Sequence, residues 1–344
     1  MSIRNLGISA ALQSARLLTR NRPRIVMYHR FGVEPHVRKV SAAAFEVQLQ
    51  LIRQHYHSLS YEELLQRLAD GSGFPANSVV LTIDDAYEDV YTIAMPLLLR
   101  WKVPAIVYAP SAYVDRETWL WPDAVRYMLF TTVKRELRLE LAGVEHAWTW
   151  DRDDQVEGIW NVVADVVKTF EREDCLVALE QMSSQLAVPL PTEPVAEYRA
   201  MTWEQLRAWQ AAGLSVGSHT RVHPNLSRES RDTQAQELFG SKQRIEEMLQ
   251  KPCDHFCYPF GGIEDFTKET VELVAKAGYR SAVTTVLGMA DGAHLLKIPR
   301  FGASESFLEF RKTATGWRGL SHERERWLRP FSTSARPVQV GSRT

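Results

Sequence analysis

Short apolar runs alternate with helix-periodic segments along most of the chain. The run at 78–83, SVVLTI, is almost continuously apolar, as expected of a strand that is covered on both faces. The pattern predicts further strands at 24–29, 104–109, 214–218, 255–259, 279–285 and 295–300. In one intervening helix, Ser60 is the predicted N-cap, Glu63 completes a capping box and Gly71 ends the helix. This alternation predicts an α/β fold with a mostly parallel sheet or barrel.

One long block interrupts the alternation. Residues 119–198 contain two short alternating segments, two helical segments and a proline-punctuated linker, VPLPTEPVAEYR. We interpret this block as a mostly helical subdomain inserted at the rim of the barrel. The predicted organisation is an N-terminal amphipathic helix at 1–23, a first barrel part at 24–118, the inserted subdomain at 119–198, a second barrel part at 199–317 and a disordered tail at 318–344.

The composition narrows the classes of function. Of the 344 residues, 45% are hydrophobic and 24% are charged, and the formal net charge of -1 creates no field that would favour nucleic acid. The three cysteines are too few for a disulfide framework. Cys253 and Cys257 are four residues apart but lack the second pair that a thiolate metal site needs. Reduced cysteines indicate a cytoplasmic setting.

The N-terminal segment leaves two interpretations open. It has no apolar run of signal-peptide length, because Arg4, Arg16 and Arg20 interrupt it, so we expect a cytoplasmic location. Its apolar residues are loosely spaced as on one face of a helix. That helix would either dock on the domain or rest on a membrane surface, which would place the protein peripherally at the inner membrane.

Two adjacent carboxylates follow the apolar strand at 78–83. Asp84 and Asp85 would repel each other unless a cation or a basic side chain separates their roles. They end a predicted parallel strand, and active sites of parallel strand–helix barrels lie at that end. One carboxylate could bind a metal while the other accepts a proton. The alternative is that Asp85 caps a helix that begins near Tyr87.

A histidine pair follows another predicted strand. In VGSHTRVHPNLS, His219 and His223 are four residues apart, so on a helical turn both imidazoles would face the same way. Two neutral imidazoles and one carboxylate suit zinc or a similar divalent ion. An aspartate pair and a histidine pair that each follow a parallel strand would meet when a barrel closes.

A third cluster, FCYPFGG, occupies residues 256–262 at the end of another predicted strand. Pro259 fixes the backbone and Gly261 permits an unusual dihedral angle, so the N–H of Phe260 could point into the site. A fixed N–H of this kind is what a tetrahedral oxyanion needs. The same residues would also suit an ordinary tight turn.

In this order, the three clusters resemble the motifs of the polysaccharide deacetylase family, the NodB-homology domain of carbohydrate esterase family four. TIDDAYED resembles its TFDDG motif, SHTRVH its paired-histidine motif and YPFG its R-x-P-Y/F-G motif. The opening IVMYHRF is similar to a subset of the family whose domain begins with a YHR strand. The resemblance covers residues 24–118 and 199–305.

The resemblance implies a distorted (β/α) barrel and metal-dependent removal of an N-acetyl group from an amino sugar. Asp85, His219 and His223 would bind the metal, with zinc expected and cobalt or nickel as alternatives. Asp84 would be the general base, and the backbone N–H of Phe260 would stabilise the oxyanion. Since no secretion signal is recognised, the expected substrate is an N-acetylated sugar in an intracellular precursor that is lipid-linked or nucleotide-linked.

Two positions depart from the family motifs in ways that affect the base. The glycine that follows the aspartate pair is replaced by Ala86, and the arginine that would hold the base is replaced by Cys257. Arg300, in KIPRFG, ends another predicted strand and could supply that guanidinium. A surface ion pair is the alternative role for Arg300.

The general acid is the third departure. The family commonly uses a late histidine to protonate the leaving amine, and the late candidates here are His294 and His322. His29, at the end of the first predicted strand, would also open onto the site, and we favour it as the acid or a pocket-lining residue, with His294 in reserve. Two other functions stay open: a hydrolase of a non-sugar C–N amide, and a carbohydrate-binding homologue without turnover.

Tryptophans suggest how a sugar could be selected. The chain contains ten, which either pack the core or present flat surfaces that suit sugar rings. We expect the inserted block to cap the groove and select the sugar, because it carries Trp119, Trp121, Trp148, Trp150 and Trp160.

Overall fold

The structure, a computed structural model, describes residues 3–32, 39–141 and 143–328. Its strands are β1 (Arg24–Tyr28), β2 (Arg30–Gly32), β3 (Lys39–Ser41), β4 (His57–Ser58), β5 (Ser78–Ile83), β6 (Ala105–Ala109), β7 (Glu136–Leu141), β8 (Val144–Thr149), β9 (Ser215–Ser218), β10 (His255–Cys257), β11 (Ser281–Val283) and β12 (Phe301–Gly302). Its α-helices are α1 (Ile3–Leu18), α2 (Ala42–His55), α3 (Tyr61–Asp70), α4 (Met95–Trp101), α5 (Ser111–Val114), α6 (Trp121–Thr131), α7 (Val156–Val167), α8 (Arg172–Leu186), α9 (Trp203–Ala211), α10 (Arg231–Leu249), α11 (Lys268–Lys276), α12 (Phe307–Ala314) and α13 (Trp317–Leu328).

Eight strands of the described chain form one parallel sheet. Their order is β11–β10–β9–β6–β5–β1–β12, and β4 pairs with the start of β5. A parallel bridge from Val283 to Ile298 links β11 to the segment that leads into β12, and β12 pairs with β1. The sheet therefore closes on itself, and the predicted distorted (β/α) barrel is confirmed.

The segment that closes the barrel differs from its prediction. A strand was expected at 295–300, but the structure forms a single bridge at Ile298 and begins β12 only at Phe301. Pro299 has no N–H to donate to a ladder. The chain changes partner at this point: the N–H of Ile298 donates to the Ala282 carbonyl, whereas the N–H of Ala303 donates to the Met27 carbonyl.

Alternate residues of the barrel strands enter two different buried clusters, as expected of a sheet covered on both faces. Val26, Leu81 and Val107 belong to a large cluster with the surrounding helices. Their neighbours Ile25, Val80 and Ile106 belong to a second cluster, which includes Tyr61, Leu64 and Leu65 of α3. Helix α3 therefore packs against one strand face, while helices that include α2, α9 and α10 cover the opposite face.

The ends of α3 follow the sequence prediction in two of three features. Ser60 accepts a hydrogen bond from the N–H of Glu63, and Gly71 ends the helix with φ of 67°. The Glu63 side chain does not complete the capping box, because its carboxylate pairs with Arg67 one turn later, at 3.0 Å. An ion pair along the helix has thus replaced a bond to the helix start.

Residues 119–198 pack around a hydrophobic cluster of their own. Helices α6, α7 and α8 cover one face of the antiparallel β7–β8 hairpin, whose Leu137, Leu139 and Leu141 are buried. The side chains of Gln181 and Gln185 in α8 hydrogen-bond the backbone of β7 at its outer edge. This capping satisfies an edge that would otherwise be open to another strand.

Both ends of the described chain pack against the barrel. In α1, Leu12 and Ala15 are buried, and the Thr19 hydroxyl beyond the helix donates to the Thr315 carbonyl at 3.1 Å. The helix therefore docks on the domain. No helix in the described ranges is both long enough and apolar enough to cross a membrane.

The prediction of a disordered tail at 318–344 is wrong for its first part, because α13 continues to Leu328. The segment is rich in charge, and two of its charges have partners: Arg318 pairs with Glu309 at 2.9 Å and Glu323 with Arg22 at 2.6 Å. The rest of the predicted tail, 329–344, lies outside the described residues.

Candidate active site

The aspartate pair lies where β5 ends, and its two carboxylates enter different surroundings. The N–H of Asp84 still donates to the Tyr28 carbonyl at 2.9 Å, as a continuation of the strand. The backbone then turns sharply, with φ of 72° at Asp85 and 51° at Ala86. Such values favour glycine, so the glycine of the family motif is explained by the turn that Ala86 has to adopt here. Helical structure begins at Glu88, but Asp85 does not cap it, because its Oδ1 has no hydrogen-bond partner among the described residues.

Asp84 is held by a buried arginine. The two Nη atoms of Arg300 donate to the two carboxylate oxygens of Asp84, both at 2.7 Å, and both side chains are almost fully buried. Arg300 is fixed in turn by the Thr284 carbonyl at 2.9 Å and the Thr82 hydroxyl at 2.9 Å. Burial alone would raise the pKa of Asp84, but the charge and hydrogen bonds of Arg300 outweigh burial and lower it. Asp84 is therefore ionised near neutral pH.

Cys257 occupies the position of the motif arginine and lies beside this pair. Its Sγ is 3.4 Å from Asp84 Oδ2 and 3.2 Å from Arg300 Nη2. Burial raises the pKa of the Cys257 thiol above its ordinary value, so the thiol stays protonated. The guanidinium of Arg300 thus reaches the Asp84 carboxylate from the segment that closes the barrel. The small thiol of Cys257 leaves room for it.

Asp85 faces the histidine pair. Its Oδ1 lies 3.4 Å from Nε2 of His219 and 3.6 Å from Nε2 of His223. The Nδ1 of His219 is 2.7 Å from the Cys257 carbonyl, which fixes a proton on Nδ1 and makes Nε2 the atom that faces Asp85. Burial would lower the pKa of His219, but its contacts with Cys257 and Asp85 raise it well above the ordinary value, so a cation bound at Nε2 would displace a proton. Burial and the neighbouring His219 together lower the pKa of His223 to about 3, so His223 is neutral.

The histidines do not lie on a helical turn, which corrects the sequence prediction. They follow β9 in an irregular loop in which Thr220 has φ of 66° and His223 has φ of 58°. This loop brings the two rings to a centroid distance of 4.7 Å. The Thr220 hydroxyl accepts the N–H of His223 at 3.0 Å and so stabilises the turn.

These three residues fit a divalent ion. Asp85 Oδ1 is buried and has no hydrogen-bond partner among the described residues. An unpaired buried oxygen costs folding free energy unless a cation or a water molecule contacts it. One ligand atom from each of Asp85, His219 and His223 lies within 4.8 Å of the others. Two neutral imidazoles and a carboxylate leave open positions on zinc for water and substrate.

Two further predicted residues lie at the same site. His29 is 40% exposed, and its Nε2 is 3.9 Å from Asp84 Oδ2. Phe260 and Gly261 have φ of 59° and 66°, and no acceptor for the Phe260 N–H is found in the described part of the chain. The Phe260 ring packs on His223 with a centroid distance of 4.9 Å. His29 and Phe260 line an open groove of about 680 Å³.

The structure does not bring the other predicted residues together with them. His294 and His322 line a separate cavity of about 560 Å³, so the reserve candidate for the acid is not at this site. Of the five tryptophans of the inserted block, Trp121 lines the groove. Trp119, Trp150 and Trp160 are buried within that block. These three side chains fill the interior of the inserted subdomain, which needs a hydrophobic core of its own.

Sequence reasoning missed several residues around the groove. Asp123 of α6 accepts a hydrogen bond from the Tyr87 hydroxyl at 2.8 Å, and Arg30 lies over the Tyr87 ring at 4.3 Å. Lys168 also lines the groove and pairs with Asp265 at 2.8 Å. Arg30 directly follows His29, and Asp123 lies two positions after Trp121. A single charged residue shows no sequence pattern that would predict a place at the groove.

A parallel barrel with a buried carboxylate–imidazole set at the carboxyl ends of its strands defines a class of metal-dependent hydrolases. The chain belongs to the polysaccharide deacetylase family, because the family model matches residues 71–282, more than half of its length.

Individual relatives are distant. The Bacillus subtilis protein YxkH is 25% identical over 119 residues, which are 35% of this chain and 42% of YxkH, so the chain spans less than half of that relative. A poly-β-1,6-N-acetyl-D-glucosamine N-deacetylase of Staphylococcus aureus is 22% identical over 228 residues, covering 62% of this chain and 71% of the relative.

Solved structures share the fold. The Streptococcus pyogenes deacetylase PplD superposes with a TM-score of 0.58 at 20% identity, over 86% of this chain and 99% of its own. IcaB from Ammonifex degensii superposes with a TM-score of 0.55 at 17% identity, over 87% of this chain and 97% of its own. At these identities the similarity shows the fold, and the chemistry is argued from this chain's own residues.

Proposed function

We propose that this protein is a metal-dependent hydrolase that removes an N-acetyl group from an amino sugar of a glycan. The observation that carries the proposal is the meeting of two sets of groups beside the groove that His29 and Phe260 line. An ionised Asp84, paired with Arg300, lies next to the Asp85, His219 and His223 set. A base beside a cation site is one arrangement that can hydrolyse an unactivated amide.

Each residue would have a defined part in the reaction. A divalent ion bound by Asp85, His219 and His223 would polarise the acetyl carbonyl and acidify a water. Asp84, kept ionised by Arg300, would accept the proton of the attacking water. The N–H of Phe260 would donate to the oxyanion that develops on the carbonyl. Acetate and the free amine would be the products.

His29 is the residue that we assign as the general acid. Its imidazole lies at the groove, 3.9 Å from Asp84 Oδ2, so a proton taken up by Asp84 could return to the leaving nitrogen over a short path. Zinc is the proposed ion because the ligand set is two imidazoles and one carboxylate, with cobalt and nickel as alternatives.

The relatives support a glycan substrate. One is a poly-β-1,6-N-acetyl-D-glucosamine N-deacetylase, and the structure of PplD was solved in complex with acetate, the product expected here. A groove of about 680 Å³ is large enough for sugar rings on both sides of the reacting one. Lipid or nucleotide linkage, contact with a membrane surface and cytoplasmic location stay predictions.

The direct test is acetate release from N-acetylglucosamine oligomers by zinc-loaded protein. Asp84→Asn should lower kcat about 10³-fold, within the range that a general base contributes. It should still bind zinc, since Asp84 is not a ligand. His219→Ala should lose both zinc and activity, because it removes one of three ligands.

The same assay separates the alternatives. Activity that persists after zinc is lost would refute the mechanism. Hydrolysis of non-sugar amides without acetate release from glycans would favour the other hydrolase. Tight binding of oligomers with no turnover, unchanged by Asp84→Asn, would favour a carbohydrate-binding homologue.

A further inference from the structure

Lys168, at the end of α7, connects the inserted subdomain to the barrel loops beneath it. Its Nζ is 2.8 Å from Asp265 Oδ1 and 2.9 Å from Oδ2. Asp265 lies between β10 and α11, and its side chain is only 5% exposed. A buried carboxylate needs a counter-charge and hydrogen bonds, and Lys168 supplies the charge.

The remaining hydrogen bonds of Asp265 come from both catalytic loops. The N–H of Gly262, next to the Phe260 turn, donates to Oδ2 at 2.9 Å. The amide of Asn225, two residues after His223, donates to Oδ1 at 3.3 Å and to the Lys168 carbonyl at 3.1 Å. A Cβ at position 262 would meet Asp265 Oδ2 at 2.8 Å, so only glycine allows this close approach.

The hydrogen bonds around Asp265 hold two loops whose backbone is strained. His223 and Phe260 both have positive φ, at 58° and 59°, and neither is glycine. Such conformations cost about 1–3 kcal/mol each and persist only where the surrounding structure fixes them. The Phe260 ring lies between His223, at 4.9 Å, and the Lys168 ammonium, also at 4.9 Å.

We propose that Lys168 is a positioning residue for the reaction: through Asp265 and Asn225 it fixes the two loops that place the His223 imidazole and the Phe260 N–H. The inserted subdomain is therefore part of the support of the metal site as well as a wall of the groove. The catalytic roles of the His223 imidazole and the Phe260 N–H rest on the proposed function. The coupling between Lys168 and the two loops does not.

The coupling is tested with Lys168→Met, Lys168→Arg and a control, Arg135→Met. Arg135 also belongs to the inserted subdomain and pairs with Asp153 at 2.7 Å, but both side chains are exposed and outside the groove. The readouts are amide hydrogen exchange, zinc affinity by competition with a chelator, and kcat and KM for acetate release.

Lys168→Met should increase hydrogen exchange at 222–228 and 258–266 and weaken zinc binding several-fold. It should lower kcat about tenfold, as small displacements of catalytic groups do, with a smaller change in KM. Lys168→Arg keeps the charge and should recover most of each property. Arg135→Met should change none of them.

The double variant Lys168→Met/Asp265→Asn leaves no unpaired buried charge and replaces Lys168→Met if that protein does not fold. Unchanged exchange and zinc affinity in the folded variant would overturn the proposal, as would an Arg variant no better than the Met variant. A wild-type protein that releases no acetate would refute the proposed function alone, because exchange and zinc affinity would still decide the role of Lys168.

Discussion

The barrel and the inserted subdomain contribute to the groove in opposite ways. The barrel supplies buried groups that come from distant parts of the chain: Asp84 is 2% exposed, His219 2% and Arg300 0%. The inserted subdomain is one contiguous segment, and it supplies half-exposed groups such as Lys168 around a core of its own. Groups that react need a dry, fixed surrounding, whereas groups that select a substrate need surface.

This difference predicts different kinetic effects. Substitutions at the barrel groups should lower kcat, because the groups act on the reacting atoms. Substitutions on the groove wall of the inserted subdomain should chiefly raise KM. Lys168 is the exception that we propose, since it belongs to the inserted subdomain but is bonded to the barrel loops.

The largest effect is expected for Arg300→Met. Without the two 2.7 Å hydrogen bonds and the charge of Arg300, Asp84 is left with the burial that raises its pKa. A base acts only when ionised, so the acidic limb of kcat/KM should move to higher pH. At neutral pH we expect a fall of about 10³-fold in kcat, comparable with loss of the base itself.

Cys257→Ala is the matched control for Arg300. It removes a second group that contacts Asp84 Oδ2, at 3.4 Å, from the position that holds arginine in the family motif. If Arg300 has taken over that function, Cys257→Ala should change kcat less than threefold. Arg300→Lys serves where the Met variant does not fold. A normal pH profile in a folded Arg300 variant would contradict the assignment.

A smaller effect is expected for His29→Gln. Glutamine can donate a hydrogen bond from a similar position but cannot deliver a proton, so kcat should fall about 10²-fold, at the low end for an acid. Substrates with a better leaving group should recover much of the loss, because they depend less on protonation. His294→Gln lies at the other cavity and should have no effect. The reverse pattern would move the acid to His294.

Strand periodicity was enough to predict the barrel, because β5, β6 and β9 are short apolar runs that end within a few residues of their predicted ends. It also placed the aspartate and histidine pairs at strand ends. The turn at Asp85 and the loop at His223 could not be predicted, because positive φ at a non-glycine residue is imposed by tertiary contacts.

Partnerships between distant residues were equally beyond the sequence. KIPRFG made Arg300 a candidate partner of Asp84 but left a surface ion pair open, and barrel closure through Ile298 decides between the two. The Arg-, Ser- and Pro-rich composition after residue 318 predicts disorder, because the sequence does not show that Arg22 and Glu309 lie opposite charges of α13. Lys168 and Asp265 are 97 residues apart, and no local pattern links them.

The smallest effect tests the groove wall, with two tryptophans of one cluster. Trp121 is buried in the core of the inserted subdomain and Trp148 packs partly buried against that core, but Trp121 also lines the groove and lies 5.7 Å from the Phe260 ring. Trp121→Leu should raise KM for acetylated oligomers about fivefold, with kcat nearly unchanged, because one flat surface for a sugar ring is lost.

Trp148→Leu removes a similar volume from the same cluster on the β7–β8 hairpin and should lower thermal stability without changing KM. Steady-state kinetics and melting temperatures of the two variants therefore separate the wall of the groove from the core behind it. Equal effects on KM would mean that the inserted subdomain acts as a whole, and the division between reacting barrel and selecting subdomain would have to be abandoned.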